Sequence, residues 1–323
     1  MVTYLSLAAG LLLLLFCGDL LVRGAVALAT RLGIPSMVIG LTIVAFGTSA
    51  PELVVSIHAA LKGVSGIAIG NVVGSNIANV LLVLGLPAII YPIICDQPAI
   101  RRNTVIMLGS SALFTFLCWH GALHFWQGAL LFLLLIIFLG YSAHYAATCP
   151  EAVSGEVDEL IEEGALPAGS GRITVYLLAG IIGLPLGAHL CVTSATEIAR
   201  TFGVSEAAIG LSVIAIGTSL PELATTVAAA LRKQADVAVG NVIGSNIFNI
   251  LGIMGITAMV KTIPVPPNFL FFDLWVMMIA AVLILPFALA RTTITRSAGA
   301  VFLIGYVSYL YFLFLADQAA GGM

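Results

Sequence analysis

The chain has 323 residues, of which 61% are hydrophobic and only 8% charged, with a formal net charge of −3. A water-soluble chain of this length carries roughly a quarter charged residues, so the composition points to lipid as the main solvent. The few basic residues are scattered over several loops, which excludes the clustered basic face that nucleic-acid binding needs.

Spanning a hydrocarbon core of about 30 Å takes roughly 20 apolar residues in a helix, and such runs recur along the whole sequence. Stretches such as Leu130 to Leu139 are apolar on every face, which fits a helix and not the alternating strands of a barrel. The first run, from Tyr4 to Leu28, lacks a preceding basic stretch and is too long for a signal-peptide core, so it reads as a retained helix. The expected spans are 4–29, 37–61, 67–90, 103–119 and 125–146, then 173–199, 207–231, 237–260, 270–290 and 298–316. Thr148 to Gly171 interrupts the series with Glu151, Glu156, Asp158, Glu159, Glu162 and Glu163 among Pro, Gly and Ser, as a solvated linker would.

The two groups of spans are copies. Gly40 to Gly85 and Gly210 to Gly255 align without a gap at about half identity, and Glu222 follows Glu52 by 170 positions. Five spans per copy force the second copy to enter the membrane from the opposite face. The expected fold is therefore an all-α polytopic membrane protein of about ten transmembrane helices in two inverted five-helix repeats, residues 1–147 and 172–323, joined by an acidic cytoplasmic linker at 148–171. With both termini outside, Arg31, Arg101, Arg102, Arg172, Arg232, Lys233, Arg291 and Arg296 lie inside, against Lys62, Arg200 and Lys261 outside. That is the orientation the positive-inside rule favours, in a cell (inner) membrane.

Two acids sit where lipid should have excluded them. Glu52 and Glu222 each close a G-T-S-x-P-E stretch inside an apolar span, and a charge at a helix centre costs at least about 2.5 kcal/mol on insertion scales. Pro51 and Pro221 remove a backbone donor, so both helices should break and release carbonyls. On the following helices Asn71, Ser75, Asn79 and Asn241, Ser245, Asn249 recur every four positions, each set on one face. Carboxylates, hydroxyls, amides and carbonyls are oxygen ligands, the set that hard cations such as Ca²⁺ take. Gly70, Gly74, Gly240 and Gly244 have the spacing of close helix packing.

The remaining polar residues read more plainly. Asp19 with Arg23, and Glu197 with Arg200, have helical spacing for structural or gating ion pairs. The five histidines are not repeated between the copies, although His189 aligns with Asp19 and is a candidate for proton coupling. Cys17, Cys95, Cys118, Cys149 and Cys191 are isolated, as small core residues.

With its paired GTSxPE and GNxxGSNxxN motifs, the sequence resembles the cation/Ca²⁺ exchanger superfamily, in particular the prokaryotic sodium/calcium exchangers. The resemblance implies a central site in which Glu52, Thr48, Ser49, Ser75 and Asn79 face Glu222, Thr218, Ser219, Ser245 and Asn249, with the carbonyls of Ala45 and Ala215 as further ligands. It also implies that the first and sixth helices slide as a pair across the rest. One departure stands out: potassium-dependent members, and some sodium-dependent ones, carry aspartate at the position of Asn249, where this sequence has the neutral amide, as at Asn79.

The implied activity is antiport of Ca²⁺ against Na⁺ by alternating access. A Ca²⁺/H⁺ exchanger is the alternative and a cation channel the more distant one. Neither a nucleophile with its base nor an H-E-x-x-H motif is present, so no enzyme chemistry is expected. The expected partners are the transported ions, Ca²⁺ and Na⁺ or H⁺, together with membrane lipid; no cofactor is called for.

Overall fold

The computed structural model describes residues 2–148, 166–167, 169–202 and 215–321. The acidic residues from Glu151 to Glu163, Cys149 and the start of the seventh expected span lie outside the described residues.

Helix α1 runs Val2–Leu32. The second span is broken as its proline requires: α2, Ser36–Thr48, and α3, Ala50–Leu61, meet at a bend of 44°. Ser49 between them has φ −89° and ψ 4°, outside the helical well. Next come α4, Ser65–Ile90, α5, Pro98–Cys118, and α6, Phe125–Thr148. The second half supplies α7, Ser170–Thr201, α8, Ala215–Thr218, and α9, Leu220–Leu231, with Ser219 at φ −90° and ψ 5° between the last two. It ends with α10, Ala235–Val260, α11, Phe269–Ala290, and α12, Arg296–Gly321.

Among the described residues seven helices are long and apolar enough to cross a membrane, and the bent pair α2–α3 makes an eighth. α5 has 21 residues but carries Arg101 and Arg102 in its first turn. α9 has 12 residues, short of a full crossing.

The interior is built from α4 and α10, whose apolar faces are almost entirely enclosed. Their counterparts under the 170-residue offset touch in reciprocal pairs. Two short antiparallel ladders, missing from the sequence expectations, show the same reciprocity: β1, Ile93–Ile94, pairs with β4, Thr293–Ile294, and β2, Ala122–Leu123, pairs with β3, Ile263–Pro264. Each ladder ties a turn of one half to a turn of the other. Two residues per strand are too few to show a period in the sequence.

α1 and α7 form an antiparallel pair, and the apolar cluster between them also takes in Ile39 and Val44 of α2 and Ala224 of α9. A Cβ at Gly10 would lie 2.8 Å from Cys191 Sγ, one at Gly187 3.0 Å from Leu14 Cγ, and one at Gly24 3.1 Å from Leu177 Cγ. The order rises along α1 while it falls along α7, so small residues let the two backbones approach along their length.

Asp19 keeps its helical partner Arg23 at 3.8 Å but bonds more closely to Arg232 at the end of α9. Arg23 stands 5.2 Å over the ring of Tyr176 on α7. His58, His120, His124, His144 and His189 are all exposed. His189 therefore does not share the environment of Asp19.

The register of α1 against α7 is testable. Gly10→Cys should form a disulfide with Cys191 under mild oxidant, because a new Cβ stands at about the separation a disulfide needs from the opposing sulfur. Peptide mapping should recover the 10–191 link. Failure to form that link in a correctly inserted chain, or a Cys17–Cys191 link in its place, would put the two helices out of register.

Candidate functional site

Both glutamates sit in the first turn after their helix break. Pro51 and Pro221 cannot donate a backbone hydrogen bond, so the carbonyls of Gly47 and Gly217 lose the partner that an unbroken helix would give. Glycine at these positions also lets α7 come close: a Cβ at Gly47 would lie 2.7 Å from Ile181 Cγ1, and one at Gly217 2.1 Å from Val192 Cγ2.

Asn71 and Asn241 brace the breaks. Asn71 Nδ2 donates to the Glu52 carbonyl at 3.1 Å and to Ser56 Oγ at 2.9 Å. Asn241 Nδ2 donates to the Glu222 carbonyl at 3.4 Å and to Thr226 Oγ1 at 3.2 Å. These are the same bonds at positions 170 residues apart. Each holds the turn bearing a glutamate against the neighbouring long helix.

A second reciprocal pair, absent from the expected ligand set, orients two of its members. Asn79 Nδ2 donates to Asn246 Oδ1 at 3.0 Å, and Asn249 Nδ2 donates to Asn76 Oδ1 at 3.1 Å. With the nitrogens so fixed, Asn79 Oδ1 and Asn249 Oδ1 remain buried without a protein partner. Both asparagines begin or lie in π-helical turns, Asn79–Leu84 and Phe248–Met254, a local widening that often accompanies functional sites. The signal for Asn76 and Asn246 was present in the repeated G-S-N triplet, but three residues' spacing placed them off the face that the four-residue pattern selected.

The acids themselves are 1% exposed each. Ser49 Oγ donates to Glu222 Oε1 at 3.0 Å, and Thr48 Oγ1 lies 3.3 Å from Asn241 Oδ1 and 3.5 Å from Ser245 Oγ. The Ala45 carbonyl receives Ser49 N–H at 3.0 Å and Thr48 Oγ1 at 3.3 Å, and Ala215 opens α8.

What is missing is more informative than what is made. Both oxygens of Glu52, Oε2 of Glu222, and the side-chain oxygens of Ser75, Asn79, Ser219 and Asn249 are buried with no hydrogen-bond partner. The bond that would mirror Ser49 to Glu222, from Ser219 to Glu52, is not formed. A buried carboxylate left without donors costs several kcal/mol, and the unpartnered oxygens come from both halves of the chain. Only a positive charge, from a cation or a proton, offsets that cost for a pair of like charges.

The sequence pattern of the family described as sodium/calcium exchanger protein matches residues 2–143 and 172–315. The chain is 33% identical to the sodium/calcium exchanger MaX1 of Methanosarcina acetivorans, over 97% of this chain and 99% of that one. It is 35% identical to the inner membrane protein YrbG of Escherichia coli, over 95% of each. A solved structure of the sodium-calcium exchanger NCX_Mj, soaked with Na⁺ and Ca²⁺, superposes with a TM-score of 0.82 at 32% identity, covering 96% of this chain and 98% of that one. The chain belongs to the sodium/calcium exchanger family, and is a multi-pass membrane protein of the cation/Ca²⁺ antiporter type.

The cross-paired amides yield a prediction of their own. Asn246→Leu and Asn76→Leu each release the amide of their partner, so its oxygen is no longer fixed in place. Losing a buried hydrogen-bond partner costs about 1–3 kcal/mol, so the Ca²⁺ KM should rise roughly five- to a hundredfold in ⁴⁵Ca²⁺ uptake. An unchanged KM in a correctly inserted variant would show that the pair packs the helices and does not orient ligands.

Proposed function

We propose that this member of the sodium/calcium exchanger family exchanges Ca²⁺ for Na⁺ by alternating access, using Glu52 and Glu222 as the charged ligands that both cargoes share. The observation that carries the reading is the set of buried, unpartnered oxygens shared between the two halves. Thr48, Ser49, Ser75, Asn79 and the Ala45 carbonyl complete the first half of the site, and Thr218, Ser219, Ser245, Asn249 and the Ala215 carbonyl the second. All are oxygen donors, suited to hard cations.

The charge count sets the exchange rule. Two ionised glutamates are neutralised by one Ca²⁺, by two monovalent cations, or by two protons. Because the cargoes need the same carboxylates, they exclude each other. An occupied, neutral site crosses a low-dielectric passage at small cost, whereas two bare carboxylates do not. Leak is thereby suppressed without any additional gate.

The layout proposed for this site is two inverted five-helix repeats with ten spans, in which α5 and the second broken pair, α8–α9, complete the count. The antiparallel course of α1 against α7 supports it, as counterparts in an inverted repeat must run oppositely. So does the reciprocity of the asparagine bonds and of the short ladders. α1 and α7, closely fitted along their length through small residues, form the element that slides across the rest. The inner membrane, with both termini outside and the acidic linker inside, follows from the distribution of loop cations. The chain is a transporter, with no catalytic role assigned.

Two experiments test this. In proteoliposomes, ⁴⁵Ca²⁺ uptake should follow an outward Na⁺ gradient, and Glu52→Gln or Glu222→Gln should abolish it while leaving insertion intact. Transport in either variant refutes the ligand assignment; uptake driven by a proton gradient without Na⁺ would identify H⁺ as the coupling ion.

Potassium supplies the second. A K⁺ carried beside Ca²⁺ would add a third positive charge to a site with two negative ones, and Asn249 offers only an amide dipole. At an effective dielectric of about 20, an unbalanced charge about 4 Å from another meets roughly 4 kcal/mol of repulsion. Ca²⁺ flux should therefore persist when choline replaces K⁺ on both sides, and Asn249→Asp should introduce sensitivity to K⁺ or to pH. Collapse of wild-type flux without K⁺ would overturn the charge argument.

A further inference from the structure

Asp273 is a third buried acid that the exchange site does not use. It stands in the first turns of α11, 4% exposed, and accepts a hydrogen bond from Tyr309 of α12 at 2.9 Å. Its carboxylate borders a cavity of about 460 Å³. The same cavity is lined by Asn268 at the mouth of α11, by Asn71 and Ser75 of α4, and by Thr218 of α8. It therefore extends from the end of the molecule that carries the 261–268 turn to two residues of the exchange site. Ser75, 3% exposed, lines its inner end, and its hydroxyl oxygen is buried with no partner.

Three features favour a cation as the occupant. A carboxylate offers about four lone-pair positions, so the single bond from Tyr309 leaves acceptor capacity toward the cavity. The volume holds on the order of ten waters at about 30 Å³ each, enough for a hydrated ion. The charge is also one-sided. The position 170 residues before Asp273 is Asn103, a neutral amide whose Oδ1 accepts from Arg102 Nε at 3.3 Å. Arg102 in turn is held over the ring of Tyr145 at 3.9 Å. One end of the molecule thus offers a carboxylate where the other offers an amide with a guanidinium beside it.

We propose that Asp273 forms a cation-staging site in this cavity, where a hydrated metal ion pauses on its way to Glu52 and Glu222 from one face of the membrane only. The inference rests on the exchange site described above, because Ser75 and Thr218 join the cavity to it. A charged cleft with low-dielectric walls concentrates counter-ions near its mouth. Asp273 then acts on entry and not on the central binding step.

The test is the KM for ⁴⁵Ca²⁺ measured separately at each membrane face, with the full chain in right-side-out and inside-out vesicles. Asp273→Asn keeps the acceptor for Tyr309 and removes only the charge. It should raise the KM about tenfold at the face bearing the 261–268 turn, the low end of what such a cleft supplies, and the rise should shrink with added salt. The KM at the other face and the maximal rate should stay at wild-type values, and Asp273→Glu should restore the KM. Equal KM values for wild type and Asp273→Asn at both faces would reduce Asp273 to an anchor for Tyr309, and a rise at both faces would make it part of the central site; either result overturns the proposal.

Should Asp273→Asn insert poorly, Asp273→Cys gives an independent reading, with the wild type as control for the native cysteines. A membrane-impermeant anionic thiol reagent applied at that face should lower its KM, and a cationic one should raise it. No reaction from that face would exclude a water-filled route. Transport by Glu52→Gln or Glu222→Gln would instead sink the exchange-site reading itself. When those variants are inert and Asp273→Asn matches wild type, only the staging site is lost.

Discussion

Two like charges enclosed in a low-dielectric interior are the constraint on which the rest of this structure depends. Glu52 and Glu222 are each 1% exposed, and taking a carboxylate out of water costs several kcal/mol even after the protein relaxes. Packing cannot repay that, since an apolar residue of similar size would fill the space without the cost. The cost is tolerable only if the site spends its time occupied. The broken helices then make sense as the means of placing each acid at depth while keeping its backbone turn fixed by Asn71 or Asn241.

The halves are alike in sequence and unlike in their contacts. Ser49 reaches Glu222, while Ser219 does not reach Glu52. Thr218, the neighbour of Ser219 in the chain, borders the cavity together with Ser75 of the other half. What stays symmetric is the set of cross-paired asparagines of α4 and α10, in which each half supplies one donor and one acceptor to the other.

Much of this was legible in the sequence because the signals are local. A proline beside a glutamate inside an apolar run announces a break and a buried charge together, and the structure bends at Ser49 as Pro51 demands. The 170-residue offset was enough to predict that contacts would come in pairs. What escaped detection depends on neighbours brought together from afar. Asp19 has a good partner four residues on in Arg23, yet the geometry favours Arg232, more than 200 positions away. The lone acid of α11 was passed over because it has no counterpart: its equivalent is Asn103, and a search for repeated residues discards what is present once. His189 shows the reverse error, since alignment with Asp19 suggested a role that its exposed position on α7 does not support.

The contacts of α1 separate what binds it from what positions it. Against α7 the backbones nearly touch through glycines, and the apolar cluster between them removes side chains such as Leu14, Leu21 and Leu184 from their surroundings. In lipid there is little hydrophobic gain from such burial, so the contact is held by dispersion over a long, closely fitted seam. Against α9 there is the pair of Asp19 with Arg232, whose side chains remain about a third exposed, and also a close backbone approach, since a Cβ at Gly18 would lie 3.0 Å from the Ala224 carbonyl. Ion pairs that exposed are worth roughly 0–1 kcal/mol. What joins the α1–α7 pair to the rest is therefore packing more than that ion pair: Ile39 and Val44 of α2 and Ala224 of α9 belong to the same apolar cluster, and Gly47 and Gly217 let α7 approach the two helix breaks.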